Sequence, residues 1–478
     1  MDLQGKQVSV VGMAASGIAT ALFLRRHGAR VVVSELRPAE QLRAEIPHLL
    51  EAGVAIETGG HSERTFLSAD LIVVSPGVPA DLPVLLRARR ENIPVIGEIE
   101  LAARFLRGPL IAITGSNGKT TTTALAGHLL AALRLPAHVG GNIGTPLISL
   151  VEAAGEGEWA VAEVSSFQLE TAERFHAHIA AVLNLSPDHL DRHGSMEAYA
   201  AAKQRIFRNQ TAADFAVLNA EDEYCRRYAA ALAAQDGGPR IVWFAADGQL
   251  PPGGGGTILQ GDRLLWCDPP AAGGGVTELL RRERIPLRGA HNVENVLAGC
   301  AIAALAAGLP AAAAAERGEI AARIAAGVAS FKAVEHRLEF VAKLDGVEYF
   351  NDSKATNVDA TLKAVESFAG GLWVILGGKD KGGDYDALLA PLRERARGVL
   401  LIGAAAGKIA RQLAPLEDRL ISAGTLERAL EIAADRAQPD DTVLLAPACS
   451  SFDQFDNYQH RGRVFKEWVA RRLLAAGA

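Results

Sequence analysis

Residues Ile111–Thr123 read Ile-Ala-Ile-Thr-Gly-Ser-Asn-Gly-Lys-Thr-Thr-Thr-Thr. The apolar, β-branched start predicts a strand, a glycine loop follows, and Lys-Thr opens an alanine-rich helix. Backbone N–H groups of such a loop point inward and the helix presents its positive end. Gly115, Ser116, Asn117 and Gly118 therefore form a polyphosphate cradle, Lys119 reaches the outer phosphates, and Thr120 or Thr121 can hold Mg²⁺. Ile113 stands where the general pattern has its first glycine, so the loop is a shortened variant.

Around this loop the chain is long enough for about three domains. Of its 478 residues 49% are hydrophobic, and 49 Lys and Arg against 55 Asp and Glu leave a formal net charge of −6. An interspersed, slightly acidic surface argues against nucleic-acid binding, which needs a basic face. It fits an enzyme of small anions with local positive charge. Cys225, Cys267, Cys300 and Cys449 are scattered without a Cys-x-x-Cys pair, as expected of free thiols in a cytoplasmic protein. No signal-peptide pattern precedes the strand at Gln7–Val11. Val296–Ala315 is uncharged and long enough to span a bilayer, but it is rich in alanine and glycine and broken by Gly308-Leu309-Pro310. A packed helix–turn–helix is predicted there.

The fold class expected is α/β with three domains. They are an N-terminal Rossmann-like parallel sheet (1–107), a central P-loop ATPase-like α/β domain (108–331), and a C-terminal Rossmann-like α/β domain (332–478). The first opens with strand Val8–Val11, the turn Gly12–Gly17, helix Ile18–His27 and strand Val31–Ser34. Strand Leu71–Val74 ends in Ser75-Pro76-Gly77, and Gly108-Pro109 marks a linker. In the second, strands Leu110–Thr114, Ala160–Val164 and Ile179–Leu185 alternate with helices. The Gly/Pro-rich stretch 250–276 reads as a surface hairpin with loose flanks around Thr257–Trp266. In the third, Leu338–Leu344 and Val347–Asn351 form a hairpin across Asp345-Gly346, followed by strands Trp373–Leu376, Val399–Ile402 and Thr442–Ala446.

In open α/β sheets, ligands bind beyond the carboxyl ends of strands. Glu163 and His189 follow two central strands and are expected over the same edge as the loop. A carboxylate, a hydroxyl, phosphate oxygens and an imidazole make a plausible Mg²⁺ shell, although histidine is an unusual ligand for so hard an ion. Lys203 lies on a helix predicted at Ser195–Arg208 with Ser195 as N-cap. By itself it reads as a solvated lysine.

Seven motifs occur in order: Thr-Gly-Ser-Asn-Gly-Lys-Thr-Thr, Glu-Val-Ser-Ser-Phe-Gln-Leu-Glu, Asp-His-Leu-Asp-Arg-His, His-Asn-Val-Glu-Asn, Glu-His-Arg, Asn-Asp-Ser-Lys-Ala-Thr-Asn and Pro-Ala-Cys-Ser-Ser-Phe-Asp-Gln-Phe. Along its whole length the chain resembles the Mur ligase family of ATP-dependent amide-forming enzymes of bacterial peptidoglycan synthesis. The second and seventh motifs point to members that add D-glutamate to UDP-N-acetylmuramoyl-L-alanine, and that reaction is what the resemblance implies, through an acyl phosphate.

The resemblance also implies roles. Lys203, within Ala-Ala-Lys-Gln-Arg-Ile-Phe, matches a lysine carbamylated by CO₂; the carbamate is an anion able to hold a second Mg²⁺, which an ammonium would repel. Thr120 and Glu163 would hold the metal at the ATP phosphates, and His189 with Lys203 the other. Ala15, Ser16, Glu35, Arg37, Ser75 and Asn142 match contacts to the UDP-substrate. From the residues alone, Glu35 and Arg37 read equally well as an exposed turn and Asn142 as a turn asparagine. Ala14 replaces the middle glycine of Gly-x-Gly-x-x-Gly, which weakens a dinucleotide reading.

Asn292 and Asn295, one helical turn apart, match the adenine side; a helix-capping role is the alternative. Arg337 matches a contact to ATP phosphate and Asp352 one to the ribose. Lys354, Thr356, Lys381, Ser451, Phe452 and Tyr458 match the D-glutamate pocket, whose two-carboxylate ligand calls for cationic and hydroxyl donors. ATP and two Mg²⁺ are the implied cofactors, and a monomer without nucleic-acid partners is expected. Turnover across amino acids separates this reading from a related ligase, such as a folate polyglutamylating one. Phosphate release that needs both acceptor and amino acid separates it from a nucleotide sensor.

Overall fold

The computed structural model describes residues 1–79, 81–142 and 144–476; Ile143, in the Gly140–Gly144 stretch, lies outside them. Three sheets carry the fold. The first comprises β1 (Gln7–Val11), β2 (Arg30–Glu35), β3 (Ala55–Thr58), β4 (Leu71–Val74) and β5 (Val95–Gly97), all parallel in the order β3-β2-β1-β4-β5. Valine-rich runs face helices on both sides, as a two-sided parallel sheet demands. The helix after β1 starts earlier than the sequence suggests, at Ala15, and runs to Arg26. A Cβ on Gly17 would stand 1.9 Å from the Gly12 carbonyl oxygen, so only glycine lets the turn close onto that helix.

The central sheet has nine strands: β6 (Leu110–Thr114), β7 (Ala137–Gly141), β8 (Trp159–Glu163), β9 (Ile179–Val182), β10 (Phe215–Asn219), β11 (Arg240–Ala245), β12 (Gly256–Gln260), β13 (Arg263–Cys267) and β14 (Val276–Arg281). Their order is β14-β13-β12-β11-β10-β9-β6-β8-β7. From β6 the chain goes to the β7 edge, returns to β8 beside β6, and then crosses to β9 on the other side. The carboxyl ends of β6, β8 and β9 are thus neighbours at a topological switch point.

The stretch 250–276 holds the expected hairpin, β12 with β13 antiparallel, between flanks outside the strands, but the hairpin is built into the sheet rather than set on its surface: β12 pairs with β11 in parallel, β13 with β14 antiparallel, and Trp266 is only 2% exposed. Trp266 Nε1 donates to Asp268 (2.8 Å), which also meets Arg317 at 2.7 Å. Gly254, Gly255 and Gly256 permit close approach, whereas Gly253 and Gly273 stand in open turns. A Cβ on Gly256, at φ +146°, would stand 1.8 Å from the Trp243 carbonyl oxygen. The alanine-rich stretch is a helix–turn–helix as expected, with helices Ala290–Ala306 and Ala314–Ser330. Among the described residues no helix is long and apolar enough to cross a membrane.

The third sheet comprises β15 (Glu339–Leu344), β16 (Val347–Asn351), β17 (Leu372–Gly377), β18 (Ala396–Ile402), β19 (Leu420–Gly424) and β20 (Thr442–Leu445), in the order β15-β16-β20-β17-β18-β19. Only the β15–β16 pair is antiparallel. Asp345 and Gly346 both have positive φ, the geometry a two-residue Asp-Gly hairpin needs.

The chain divides into two compact units. One holds the first two sheets; the other holds the third sheet together with Ser186–Gly194 and Ile285–Asn295. Within the first unit, helix Glu98–Ala103 fastens the first sheet's domain to the second's. Glu100 accepts the N–H groups of Glu173, Arg174 and Phe175 at 2.8–3.0 Å. Glu98 Oε1 accepts the Ile148 N–H at 2.7 Å, while its Oε2 is buried with no hydrogen-bond partner among the described residues.

Burial raises the Glu98 carboxyl from 4.5 to about 7, against the pull of the Ile148 and Leu147 N–H groups. Between pH 4.5 and 7 the folded chain retains a proton that the unfolded chain has released. The associated stability is complete below 4.5 and lost as pH rises through 7, a cost on the order of 3 kcal/mol. Glu98→Gln keeps the acceptor and removes the titration. Thermal midpoints should match wild type near pH 4.5 and exceed it at pH 8; parallel pH profiles would contradict this.

Candidate functional site

The first cluster gathers on β6, β8 and the helix Met196–Gln204, all in the first unit. After β6, Gly118 takes a left-handed conformation and turns the chain into helix Lys119–Ala132. Asn184, just beyond β9, clamps the loop. Its Oδ1 accepts the Asn117 N–H (2.8 Å), its Nδ2 donates to the Asn117 carbonyl (3.2 Å), and its own carbonyl accepts the Ser116 N–H (2.9 Å). Lys119 Nζ folds back onto the carbonyls of Gly115 (2.8 Å) and Ser116 (2.9 Å).

Glu163 closes β8 and is 1% exposed. The Thr120 hydroxyl donates to its Oε2 (2.7 Å) and Asn142 Nδ2 to its Oε1 (2.9 Å). The Asn142 N–H also bonds the Glu163 carbonyl, so Asn142 is a partner of the carboxylate rather than a plain turn residue.

Lys203 is where the isolated reading fails. It does not lie on a solvated face: it is 1% exposed, and Nζ donates to Thr114 Oγ1 (3.2 Å) and to the Gly115 carbonyl (2.9 Å). The Ser195 hydroxyl caps its helix by accepting the Ala198 N–H, as the sequence suggests, and the helix aims Lys203 inward. One carbonyl, that of Gly115, therefore receives both the Lys119 and Lys203 ammonium groups. Two cations converging on a glycine loop form a pole of positive charge suited to polyphosphate.

The group fits magnesium. A hydroxyl and a carboxylate are hard oxygen donors, and Mg²⁺ completes its shell from phosphates and water rather than from a protein cage. Among the described residues no group of three or more His, Cys, Asp or Glu is arranged to hold a metal ion.

In the domain of the first sheet, Arg37 lies in an exposed bend, but Glu35 does not. Glu35 is buried and accepts the Met13 N–H (2.7 Å) and the Arg37 N–H (3.0 Å), with the Arg37 side chain at 3.2 Å. Burial alone would raise its carboxyl, but these bonds and the Arg37 charge hold it down at about 2. Glu35 thus anchors the Gly12–Gly17 turn and leaves Arg37 half exposed at its mouth. Ser75 lies across that turn, its hydroxyl 3.5 Å from the Gly12 carbonyl; Ser16 is partly exposed and Ala15 exposed.

The second unit holds the rest. His189 belongs to its Ser186–Gly194 segment, with positive φ, its N–H on Asp188 Oδ1 (3.0 Å) and its ring 3.7 Å from the same carboxylate. Asn295 Nδ2 donates to Asn292 Oδ1 (3.0 Å), and Asn292 Nδ2 donates back to the Arg288 carbonyl (2.6 Å). The two asparagines share a helix face as expected. A cavity of ≈ 290 Å³ is lined by Arg288, Asn292, Arg337, Phe340, Glu348 and Phe350 among others. Arg288 lies 5.0 Å over the Phe350 ring, and Arg337 Nε is buried with no hydrogen-bond partner among the described residues. An aromatic wall beside an unspent guanidinium donor suits a base linked to an anion. Asp352 is buried, and burial pushes its carboxyl up to about 6 against the charges of Arg337 and Lys354.

Lys354 lies 5.3 Å over the Tyr458 ring, and Thr356 follows in the same loop, its N–H on the Lys354 carbonyl. Ser451 is buried, Phe452 is 67% exposed, and Lys381 is exposed on its loop. The residue that ties these loops together is Arg461, which the sequence analysis passes over. It is 1% exposed and donates to Ser353 Oγ (2.9 Å), the Ser353 carbonyl (2.8 Å) and the Cys449 carbonyl (3.2 Å). Tyr199 was missed as well: its hydroxyl meets Ser116 Oγ (3.1 Å) and its ring underlies Lys203 Nζ at 4.7 Å. Its position one helical turn before Lys203 was the available signal.

A short glycine loop, a buried carboxylate–threonine pair and a buried lysine thus meet at one sheet edge of the central α/β domain, between two further α/β domains in the sequence. The chain belongs to the Mur ligase family. Models of the Mur ligase MurD-like N-terminal domain, the Mur ligase middle domain and the Mur ligase glutamate ligase domain match residues 6–97, 113–254 and 336–449. The chain is 52% identical over 471 residues to UDP-N-acetylmuramoylalanine--D-glutamate ligase of Koribacter versatilis, covering 98% of each. It is also 52% identical to the ligase of the same name from Acidobacterium capsulatum, covering 100% of this chain and 98% of that one. The solved UDP-N-acetylmuramate-alanine ligase of Thermotoga maritima shares the fold, with a TM-score of 0.59 at 21% identity over 98% of this chain and 100% of that one.

Proposed function

We propose that this chain is an ATP-dependent ligase that joins D-glutamate to UDP-N-acetylmuramoyl-L-alanine in peptidoglycan precursor synthesis. The observation that carries it is full-length identity of 52% to ligases of that name, joined to the polyphosphate cradle at Gly115–Thr121.

The family resemblance implies a reaction through an acyl phosphate. A carboxylate is a poor electrophile. Its oxygen attacks the γ-phosphorus of ATP, a P–O bond to ADP breaks, and an acyl phosphate forms. The D-glutamate ammonium gives one proton to water, the resulting amine attacks the acyl carbon, the C–N bond forms, phosphate leaves with the bonding pair, and the nitrogen gives up a second proton to reach the amide. The first step brings two anions together, and the Lys119 ammonium at the phosphate loop offsets that repulsion in part. Magnesium, when bound, neutralises phosphate charge and polarises the transferring group.

Thr120 and Glu163 are the residues assigned to magnesium at the ATP phosphates. A second magnesium is assigned to His189 and to Lys203 as a carbamate. The pocket suits that modification, since a carbamate keeps one N–H to give to the Gly115 carbonyl. Asn292, Asn295, Arg337 and Asp352 are assigned to the nucleoside side of ATP. Ala15, Ser16, Glu35, Arg37, Ser75 and Asn142 are assigned to the UDP-substrate. Lys354, Thr356, Lys381, Ser451, Phe452 and Tyr458 are assigned to D-glutamate. The reaction is assigned to the cytoplasm, and the segments 1–107, 108–331 and 332–478 are assigned to the UDP-substrate, ATP and the amino acid in turn.

The test is phosphate release with the UDP-muramoyl-alanine acceptor and ATP. D-glutamate should support turnover at least about a hundredfold better than L-glutamate, about 2.7 kcal/mol of discrimination. Equal rates with both, or release without any amino acid, would contradict the assignment.

A further inference from the structure

The loop that carries Lys381 is gripped by residues that the reaction itself does not call for. Its first end is fixed to the Ser451 loop: the Lys379 N–H donates to the Ser450 carbonyl (2.8 Å), while the Ser450 N–H (3.1 Å) and hydroxyl (3.0 Å) donate to the Lys379 carbonyl. Asp380 then closes the turn. Its Oδ1 accepts the Tyr385 hydroxyl (2.8 Å) and the Gly383 N–H (3.2 Å). Its Oδ2 accepts Lys408 Nζ (2.8 Å), and the same Nζ donates to the Gly383 carbonyl (2.8 Å). Lys408 stands on a separate helix, Ala406–Gln412, 5.4 Å over the Tyr385 ring. The Tyr385 hydroxyl is 3.0 Å from Cys449 Sγ, which returns the network to the strand end before Ser450 and Ser451.

Lys408 thus holds both ends of a turn whose exposed middle is Lys381 and Gly382, the latter at φ +81°. Two consequences follow. The backbone of Lys381 is fixed before a ligand arrives, so less ordering is left to binding. The Asp380 carboxylate, adjacent in sequence to a lysine assigned to an anionic ligand, has its charge offset by Lys408. Without that partner it would repel a dicarboxylate and oppose Lys381. Its carboxyl is held below the usual range because the Lys408 and Tyr385 bonds outweigh its burial.

We propose that Lys408 and Asp380 are positioning residues that set the affinity for D-glutamate, Lys408 by bracing the Lys381 turn and neutralising Asp380. This rests on the assignment of Lys381 to the D-glutamate pocket.

Steady-state kinetics on the full chain test it. Lys408→Met should raise KM for D-glutamate about tenfold or more, with KM for ATP and for the acceptor within about twofold, because a charge-assisted hydrogen bond is lost at one ligand's loop alone. Lys408→Arg should restore most of the affinity. The double variant Lys408→Met/Asp380→Asn should bind D-glutamate better than Lys408→Met, since the unneutralised carboxylate is gone. A general structural role would give neither the selective KM effect nor recovery in the double variant. An unchanged KM for D-glutamate in Lys408→Met, alongside a raised one in Lys381→Ala, overturns the inference and leaves the pocket assignment standing. An unchanged KM in Lys381→Ala overturns both. Equal losses for all three substrates, with no recovery in the double variant, also overturn it.

Discussion

Replacing Lys203 by alanine is expected to lower turnover by about a thousandfold, the largest effect of any substitution considered, because it removes a candidate metal ligand. The side chain is sealed from solvent and bonded to Thr114 and Gly115 at the root of the phosphate loop. A lysine kept there only to brace the loop would be missed chiefly through stability. A lysine that becomes a carbamate is missed as an anion, and a small carboxylate diffusing into the vacated space can replace part of what is lost. Formate or acetate should therefore recover activity in Lys203→Ala and leave wild type unaffected. Independently of turnover, carbon-13 bicarbonate should give a carbamate signal by NMR in wild type and none in the variant. Full activity of Lys203→Ala without added carboxylate would remove the carbamate from the account.

The second large effect is expected at Glu163. Glu163→Gln preserves shape, but it turns one of two accepting oxygens into a donor. The Thr120 hydroxyl and Asn142 amide both give hydrogens to the present carboxylate, so one of them would face another donor. The charge proposed to draw magnesium to this strand end is lost as well. Turnover should fall by roughly two to three orders of magnitude, and the magnesium concentration giving half-maximal rate should rise about tenfold or more. Because Glu163 is buried, the thermal midpoint of the variant must be measured alongside. A normal midpoint with an unchanged magnesium requirement would take Glu163 out of metal binding.

What the sequence discloses follows how local each feature is. The phosphate loop is legible because glycine torsions, a strand end and Lys-Thr all fall within ten consecutive residues. The three-sheet α/β architecture follows from valine- and leucine-rich runs separated by helical patterns, and the Asp-Gly hairpin from two residues. Lys203 is different. Its burial depends on the helix Met196–Gln204 lying against the end of β6, a contact between positions 89 residues apart, so the helix alone suggests solvent. Only the resemblance corrected that reading. Gly256 is opaque for the opposite reason: it looks like a loop residue, yet it is required where β12 meets the Trp243 backbone. Glu35 looks like a turn acid, and its role as an anchor for the Met13 N–H appears only once β1 and β2 are paired. Arg461 and the Asp380–Lys408 pair escaped notice because their partners come from distant loops, with no short motif to mark them.

The measurement that bears most directly on the whole account is the fate of the acceptor's carboxylate oxygen. With UDP-N-acetylmuramoyl-L-alanine labelled by heavy oxygen in that carboxylate, one labelled oxygen should appear in each phosphate released, because the C–O bond breaks when the amine displaces phosphate. Unlabelled phosphate during productive coupling to D-glutamate would mean that ATP does not activate the acid through an acyl phosphate.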